Sequence, residues 1–176
     1  MDFLNHPVLP ESLPRAEAVE LKPLSPDYLK VMRWQWLISM FILLAILGIL
    51  FSFIPTLQQP LPIAMAGGGW LLVAVAWYVL MHKSFANKGY AIRDKDVIYR
   101  TGWIVRTTHT CPFNRIQHST VAIGPLERQY GLARLVLFTA GSSSADMRLP
   151  GLTQEEAQNL KEWITKKIAD EPTGQL

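Results

Sequence analysis

The feature that most constrains this chain is a long block without charge. From Trp34 to Met81, 48 residues pass without a single Asp, Glu, Lys, Arg or His. Such a block is too apolar for an ordinary soluble core, and it accommodates two membrane passes of about 20 residues each. We therefore predict a transmembrane α-helical hairpin over residues 31–83, with passes near 34–54 and 62–81.

The two passes differ in how strongly their residues favour membrane insertion. The first contains 13 Leu, Ile or Phe residues from Leu37 to Ile54, and each favours insertion by roughly 0.3–0.6 kcal/mol. The second is less apolar and contains Gly67–Gly69, so we expect it to pack on the first through small residues. The alternative is that glycine is simply frequent in membrane helices. The residues predicted to pack are Gly48, Ser52, Ala64 and Gly68.

Charges at the ends of the block predict its orientation. Lys30 and Arg33 precede the first pass, and Lys83 and Lys88 follow the second, so the positive-inside rule puts both termini in the cytoplasm. Aromatic rings settle at headgroup level, and several lie near this same boundary. No signal peptide is predicted, since the first 30 residues lack a continuous apolar core, and a single cysteine fits a reducing compartment. The boundary aromatic residues are Trp34, Trp36, Trp77 and Tyr78.

Two different flanks surround the hairpin. Residues 1–30 are proline-rich and aperiodic, which predicts an extended cytoplasmic arm. The alternative is a strand-like segment that docks on the downstream domain, suggested by Val8–Leu9 and Val19–Leu21. Residues 88–170 are predicted as a cytoplasmic β domain, and residues 171–176 as a tail. From residue 82 to 148, ten Lys/Arg stand against four Asp/Glu, a basic excess that acts on partners rather than on the fold.

Runs of β-branched and aromatic residues between turn signals predict the strands of this domain. A glycine–serine turn is predicted at 141–144. Thr153 and Glu156 then form a capping-box pattern, which opens an amphipathic helix. The predicted strands are 90–92, 97–100, 103–110, 118–123, 132–140 and 146–149. The apolar positions of the helix are Ala157, Leu160, Trp163, Ile164 and Ile168.

The stretch CPFNRIQHSTVAIGPLERQYG at residues 111–131 contains two arginines, two glutamines and one histidine. Most of it is interpreted as fold framework, including a short helical turn that Gly131 ends with φ > 0. The arginines of this stretch and its neighbours have two possible roles. They form a surface that binds lipid or a protein partner, or they only keep the domain solvated. The framework residues are Ile116, Gln117, Gly124, Pro125, Leu126, Tyr130 and Gly131. The candidate lipid or partner surface comprises Arg106, Arg115, Arg128 and Arg134.

These motifs, PFNRIQ followed by GPLERQYGLARLVLFTAG, resemble those of the YdbS-like bacterial membrane proteins, which carry a bacterial pleckstrin-homology-like (membrane-flanked) domain. The resemblance spans about residues 30–170. It implies two curved antiparallel sheets, packed orthogonally or closed as a partial barrel, with the C-terminal helix capping one end. It also implies a bacterial inner or plasma membrane location and a membrane-protein partner with several related domains. A role in envelope stress or antimicrobial-peptide resistance follows from that partner.

Patterns for catalysis or metal binding are weak. His109, Cys111 and His118 are candidate ligands, but a zinc site needs a fourth ligand or an open water position. Cys111 and His109 are better explained as strand residues than as a nucleophile and its base. The serines at 142–144 lack the Gly-x-Ser-x-Gly elbow, and no ionisable residue interrupts either pass. We expect no enzyme activity, metal, cofactor or nucleic-acid partner.

The sequence therefore predicts a non-catalytic, membrane-anchored interaction module that assembles with another membrane protein. The competing hypothesis is direct sensing of anionic lipid headgroups by the basic face of the β domain. Each basic residue near an anionic leaflet contributes about 1 kcal/mol to such binding. The lipid bilayer is itself an expected partner, and a homo-oligomer remains an alternative.

Overall fold

The structure is a computed structural model that describes residues 20–140 and 147–170. Most of the predicted arm, the glycine–serine turn and the tail lie outside the described residues. In chain order the described elements are β1 (Lys22–Pro23), α1 (Tyr28–Phe53), a 3₁₀ turn (Pro55–Gln58), α2 (Pro60–Ala86), β2 (Gly89–Ile92), β3 (Asp96–Thr101), β4 (Thr107–Pro112), a second 3₁₀ turn (Phe113–Arg115), β5 (Ile116–Ala122), α3 (Pro125–Gln129), β6 (Leu132–Thr139), β7 (Met147–Thr153) and α4 (Gln154–Asp170).

Helices α1 and α2 are each longer than the pass predicted within them. Both are long and apolar enough to cross a membrane, and most of their large apolar side chains are exposed. Pro60 and Pro62 stand at the start of α2, where a missing backbone N–H costs no intrahelical hydrogen bond. Helix α1 begins before the charge-free block because Tyr28 packs against the core of the β domain.

The strands form two antiparallel sheets, as the resemblance implied. One sheet has the order β1-β2-β3-β4 and the other the order β5-β6-β7. No strand pairing joins the two sheets within the described residues, so they do not close a barrel. A single apolar core includes residues of both sheets and of α4, with Phe113, Leu135 and Leu149 among its fully buried side chains.

One strand is shorter than predicted. The predicted strand 103–110 begins only at Thr107, which pairs with Thr101 of β3. The intervening residues form the loop of the β3–β4 hairpin. Gly102 has φ +95°, and a Cβ there would lie 1.9 Å from the carbonyl oxygen of Val105. The chain therefore turns back directly after this glycine, and the apolar run that follows it is a hairpin tip.

A strand pairing holds one end of the β domain, and a helix cap holds the other. Lys22 and Pro23 pair with Tyr90 and Gly89 in β2, so the last part of the arm does reach the sheet, whereas Val8–Leu9 lies outside the described residues. At the other end, the Glu156 N–H donates to Thr153 Oγ1 at 3.1 Å, which caps α4. Along α4, Ala157 and Ile164 are fully buried, Leu160 and Ile168 are half-buried, and Trp163 stays 43% exposed while its ring meets Phe113 edge-on.

Candidate functional site

The first turns of α1 are built into the β domain. Leu24 and Val31, on either side of the helix start, are buried. The Ser25 N–H donates to the Gly151 carbonyl at 3.0 Å. Gly151 has φ +70°, and a Cβ there would lie 2.7 Å from Cγ of Tyr28. Only glycine fits both the backbone and the ring, so the Tyr28 ring of the membrane helix packs directly on the backbone of β7.

Helix α3 makes the second contact with α1. The indole Nε1 of Trp34 donates to the hydroxyl of Tyr130 at 2.8 Å, and the ammonium of Lys30 lies 5.8 Å from the Tyr130 ring centroid. Gly131 follows with φ +63°, as predicted for the residue that ends this turn. We call these contacts of Tyr28 and Trp34 with Gly151 and Tyr130 the membrane joint.

The framework residues of the 111–131 stretch differ in burial, and one of them contacts the membrane helix. Ile116 is buried, as predicted, while Leu126 and Tyr130 are only half-buried. Gln117 and Pro125 are exposed, and Gly124 is the residue that precedes α3. The turn is therefore not a sealed part of the core. It presents Tyr130 to the membrane helix.

Glu127 is the residue in this stretch that sequence reasoning missed. It is 3% exposed, and its Oε2 accepts from the backbone N–H of Gly124 at 2.7 Å and from Nη2 of Arg134 at 2.8 Å. A buried carboxylate needs such partners. The Gly-Pro-x-Glu spacing, an acidic residue at the third position of a helix, is the signal that could have identified it.

The four candidate arginines do not share one neighbourhood. Arg134 pairs with Glu127, so its charge is compensated inside the domain. Arg128 is exposed on α3, and Arg115 lies in the 3₁₀ turn that packs against α4. Arg106 instead lies beside the end of α2. The contacts of the described residues thus assign these arginines to different surroundings rather than to a single basic face.

A different basic group surrounds the end of α2, and we call it the basic pocket. It is a cavity of about 260 Å³ whose lining includes Ala86, Lys88, Arg100 and Arg106. Its described lining contains no Asp or Glu. Burial lowers the pKa of Lys88 below its ordinary value, because a half-buried ammonium is poorly solvated. The Lys88 ammonium itself lies 4.0 Å from Met32 Sδ and 5.7 Å from the centroid of the Tyr28 ring.

The residues predicted to pack α1 against α2 do not do so here. Gly48, Ser52, Ala64 and Gly68 are all exposed. A Cβ at Gly48 or Gly68 would meet no heavy atom within 4 Å. The helices meet instead near Met40 and Ala74, which are buried, and the Trp70 indole donates to the Met40 carbonyl at 3.3 Å. Near Gly48 and Gly67 the two helices leave a cavity of about 320 Å³ between them, and Trp70 is one of the residues that line it.

The chain matches the bacterial PH domain family over residues 29–168. It belongs to that family. This bacterial PH domain protein is also 28% identical over 152 residues to the UPF0699 transmembrane protein YdbS of Bacillus subtilis (strain 168), across 81% of this chain and 89% of that protein. No solved structure matches it. The resemblance inferred from the PFNRIQ and GPLERQYG motifs is confirmed, and the chain is a membrane protein with a pleckstrin-homology-like fold.

The candidate metal-binding and catalytic residues of this PH domain protein do not form a common site among the described residues. Cys111 is buried and His109 is exposed, although they are two residues apart on β4. His118 lies in β5, in the other sheet from β4, and stacks on Phe138 of the neighbouring β6 with ring centroids 4.3 Å apart. Within the part of the chain that the structure describes, no three His, Cys, Asp or Glu side chains are grouped to hold a metal ion. The serines at 142–144 lie outside the described residues.

A cavity of about 890 Å³ lies between β1, β2 and the start of α4. Its polar centre is the carboxylate of Glu156, which accepts from the Tyr90 hydroxyl at 2.6 Å and from the Lys22 ammonium. Burial alone would raise the pKa of Glu156, but these two donors and the Thr153 backbone lower it below its usual value. The carboxylate is thus committed to holding β1 on the domain.

Proposed function

We propose that this protein is a non-catalytic interaction module of the bacterial inner or plasma membrane, and that it assembles with another membrane protein. The observation that carries the proposal is the membrane joint. A domain attached by Tyr28, Trp34, Tyr130 and Gly151 follows every tilt of α1. Such a construction couples events in the bilayer to a cytoplasmic surface, which suits an assembly module.

The exposed small residues of the hairpin support the choice of a protein partner. Gly48 and Gly68 have open space around them, and exposed small residues in a membrane helix favour close approach by another helix. We infer that a helix of the partner docks on the exposed small residues Gly48, Ser52, Ala64 and Gly68, of which Gly48 also lines a cavity between α1 and α2. A partner with several related domains, and a role in envelope stress or antimicrobial-peptide resistance, follow from the resemblance to YdbS-like proteins.

Co-purification of the full-length protein in mild detergent tests this assembly. We expect one membrane protein at stoichiometric amount, lost in Gly68→Leu and retained in the matched control Gly69→Leu. Both glycines have open surroundings, but neighbouring helix positions point about 100° apart. Equal retention by both variants, or a partner that is identical to this chain, contradicts assembly with a different protein through these small residues.

A second candidate function is recognition of anionic lipid headgroups, and the basic pocket favours it. Three cationic side chains line a cavity at the end of a membrane helix, where headgroup phosphates are close. Native mass spectrometry of Arg106→Gln and Arg115→Gln separates the two functions, because each variant removes one charge. We expect bound anionic lipid to fall, and to become more salt-sensitive, only in the Arg106 variant. An equal effect of both variants argues for general charge attraction.

The proposed orientation has both termini in the cytoplasm. Lys30, Arg33, Lys83 and Lys88 all lie on the β-domain side of the hairpin, which is the side that positive charge favours for the cytoplasm. Protease treatment of spheroplasts checks it through a C-terminal epitope, which we expect to stay protected until the membrane is opened.

A further inference from the structure

The β3–β4 hairpin ends in three consecutive exposed apolar side chains. Trp103, Ile104 and Val105 are 40%, 74% and 75% exposed. Contiguous exposed apolar side chains mark a site of interaction with a partner or a membrane, whereas single ones do not. These three residues, which we call the hairpin tip, are absent from every contact of the domain core.

The position of the hairpin tip follows from its contacts with α2. The basic pocket puts Arg106, at the base of the loop, level with Ala86 and Asn87. The ring centroid of Trp103 lies 4.3 Å from the ammonium of Lys83. Lys83 is three residues closer to the apolar part of α2, which is about 4.5 Å along the helix axis. The hairpin therefore runs along the end of α2, and its tip is directed towards the bilayer.

The hairpin tip also has a defined shape. Gly102 adopts φ +95°, and the Val105 carbonyl oxygen occupies the place of its missing Cβ. The last ladder pair, Thr101 with Thr107, closes the base of the loop. The apolar side chains are thus presented on a turn that glycine alone permits, and presenting them to a membrane requires little further ordering of the loop.

Charge around the hairpin tip identifies the bilayer as its occupant. Lys83 flanks the tip, and Lys88, Arg100 and Arg106 line the adjoining pocket. An apolar tip with a basic rim is complementary to a leaflet with anionic headgroups and apolar chains. The tip also lies beside α2 just past the end of its charge-free part at Met81.

We propose that the hairpin tip inserts Trp103, Ile104 and Val105 into the headgroup region of the leaflet in which α2 ends. It forms a third membrane contact beside α1 and α2. A third contact restricts the tilt of the domain relative to the bilayer, so the tip helps to set the surface that the β domain presents to the cytoplasm. The inference does not depend on either candidate function.

A fluorescent label at single positions of the full-length protein tests the proposal. The environment-sensitive dye NBD is attached to Ile104→Cys, to Leu80→Cys on the exposed side of α2, and to Lys166→Cys on the exposed side of α4. Wild-type protein measures residual labelling of the native Cys111, which is 4% exposed. The proteins are reconstituted in vesicles of phosphatidylethanolamine and phosphatidylglycerol that contain a nitroxide lipid labelled near the headgroup.

We expect the nitroxide to quench Ile104→Cys about as strongly as Leu80→Cys, and at least about threefold more than Lys166→Cys. Quenching of Ile104→Cys no greater than that of Lys166→Cys overturns the proposal. Protection of Ile104→Cys from a soluble maleimide in native membranes, but not in vesicles, assigns the tip to a protein partner and also overturns it. Val105→Cys provides the same readout if Ile104→Cys does not fold.

Discussion

The membrane hairpin and the β domain use the same apolar residues in opposite ways. Leu135, Leu137 and Leu149 of the β domain expose no surface, whereas Leu72 of α2 is 73% exposed. In the domain, water drives apolar side chains together. In the hairpin, lipid surrounds them and the helix satisfies its own backbone. The β domain therefore closes its core with the help of the first turns of α1, whereas the rest of the hairpin leaves its apolar surface to lipid.

The contact between the two regions is neither a buried apolar core nor a lipid-facing apolar surface. It consists of a tyrosine ring on a bare glycine, an indole–hydroxyl hydrogen bond and a cation beside an aromatic ring. Such contacts suit a boundary between lipid and water, since amphipathic rings place an apolar body and a polar tip on the two sides. The difference between the regions can be sharpened by substitutions that remove the same atoms from each.

The largest contrast is expected for leucine truncation. Leu149→Ala leaves a cavity in the packed core of the β domain, and we expect it to lower the free energy of unfolding by about 2–5 kcal/mol. Leu72→Ala removes the same atoms from a lipid-facing position, and we expect a loss below about 1 kcal/mol. Urea titration of the full-length protein in detergent, followed by near-ultraviolet circular dichroism, measures both. Similar losses at the two positions contradict a lipid-facing Leu72.

The next contrast lies at the membrane joint. Gly151→Ala combines a left-handed backbone with a clash against Tyr28, whereas Gly131→Ala has a similar φ and open space around it. We expect Gly131→Ala to cost about 1 kcal/mol from strain alone, and Gly151→Ala to cost about 2–3 kcal/mol. The same titration measures both. Faster proteolysis between residues 24 and 30 should accompany the Gly151 variant only, and its absence argues that the joint tolerates displacement of Tyr28.

Which features the sequence could predict depends on how local their causes are. The strands and the capped α4 follow from alternation and from a four-residue pattern, and Gly131 from a turn that it must end. The joint could not be predicted, because Tyr28 and Gly151 meet across more than a hundred residues. Arg134 forms an ion pair with Glu127 and does not join the other candidate arginines on one surface. This pairing likewise depends on the burial of Glu127, which the sequence does not show. The first part of the strand predicted at 103–110 was wrong, because an apolar run has the same appearance in a strand and at the tip of a hairpin.

A smaller effect is expected for the hydrogen bond of the joint. Trp34→Phe and Tyr130→Phe each remove one partner of the 2.8 Å contact, and we expect each to cost about 0.5–1.5 kcal/mol. Both groups lie at the half-exposed boundary, where water replaces a lost partner. In the double variant the two losses should not add, because they report one interaction. Full additivity shows that the two rings act independently and that the joint does not include this bond.

The smallest effect concerns pH and the anchor of β1. The folded-state pKa of Glu156 is below its ordinary value of 4.5. Its contribution is therefore fully present above that value and is lost as the pH falls through the folded-state pKa. Because Lys22 is largely exposed, we expect less than about 1 kcal/mol. Glu156→Gln should reduce the stability difference between about pH 7 and pH 3, while Glu155→Gln, one residue away and exposed, should leave it unchanged. An equal reduction in both variants assigns the acid sensitivity to the net charge of α4, and the paired strand at Lys22 then holds without its carboxylate.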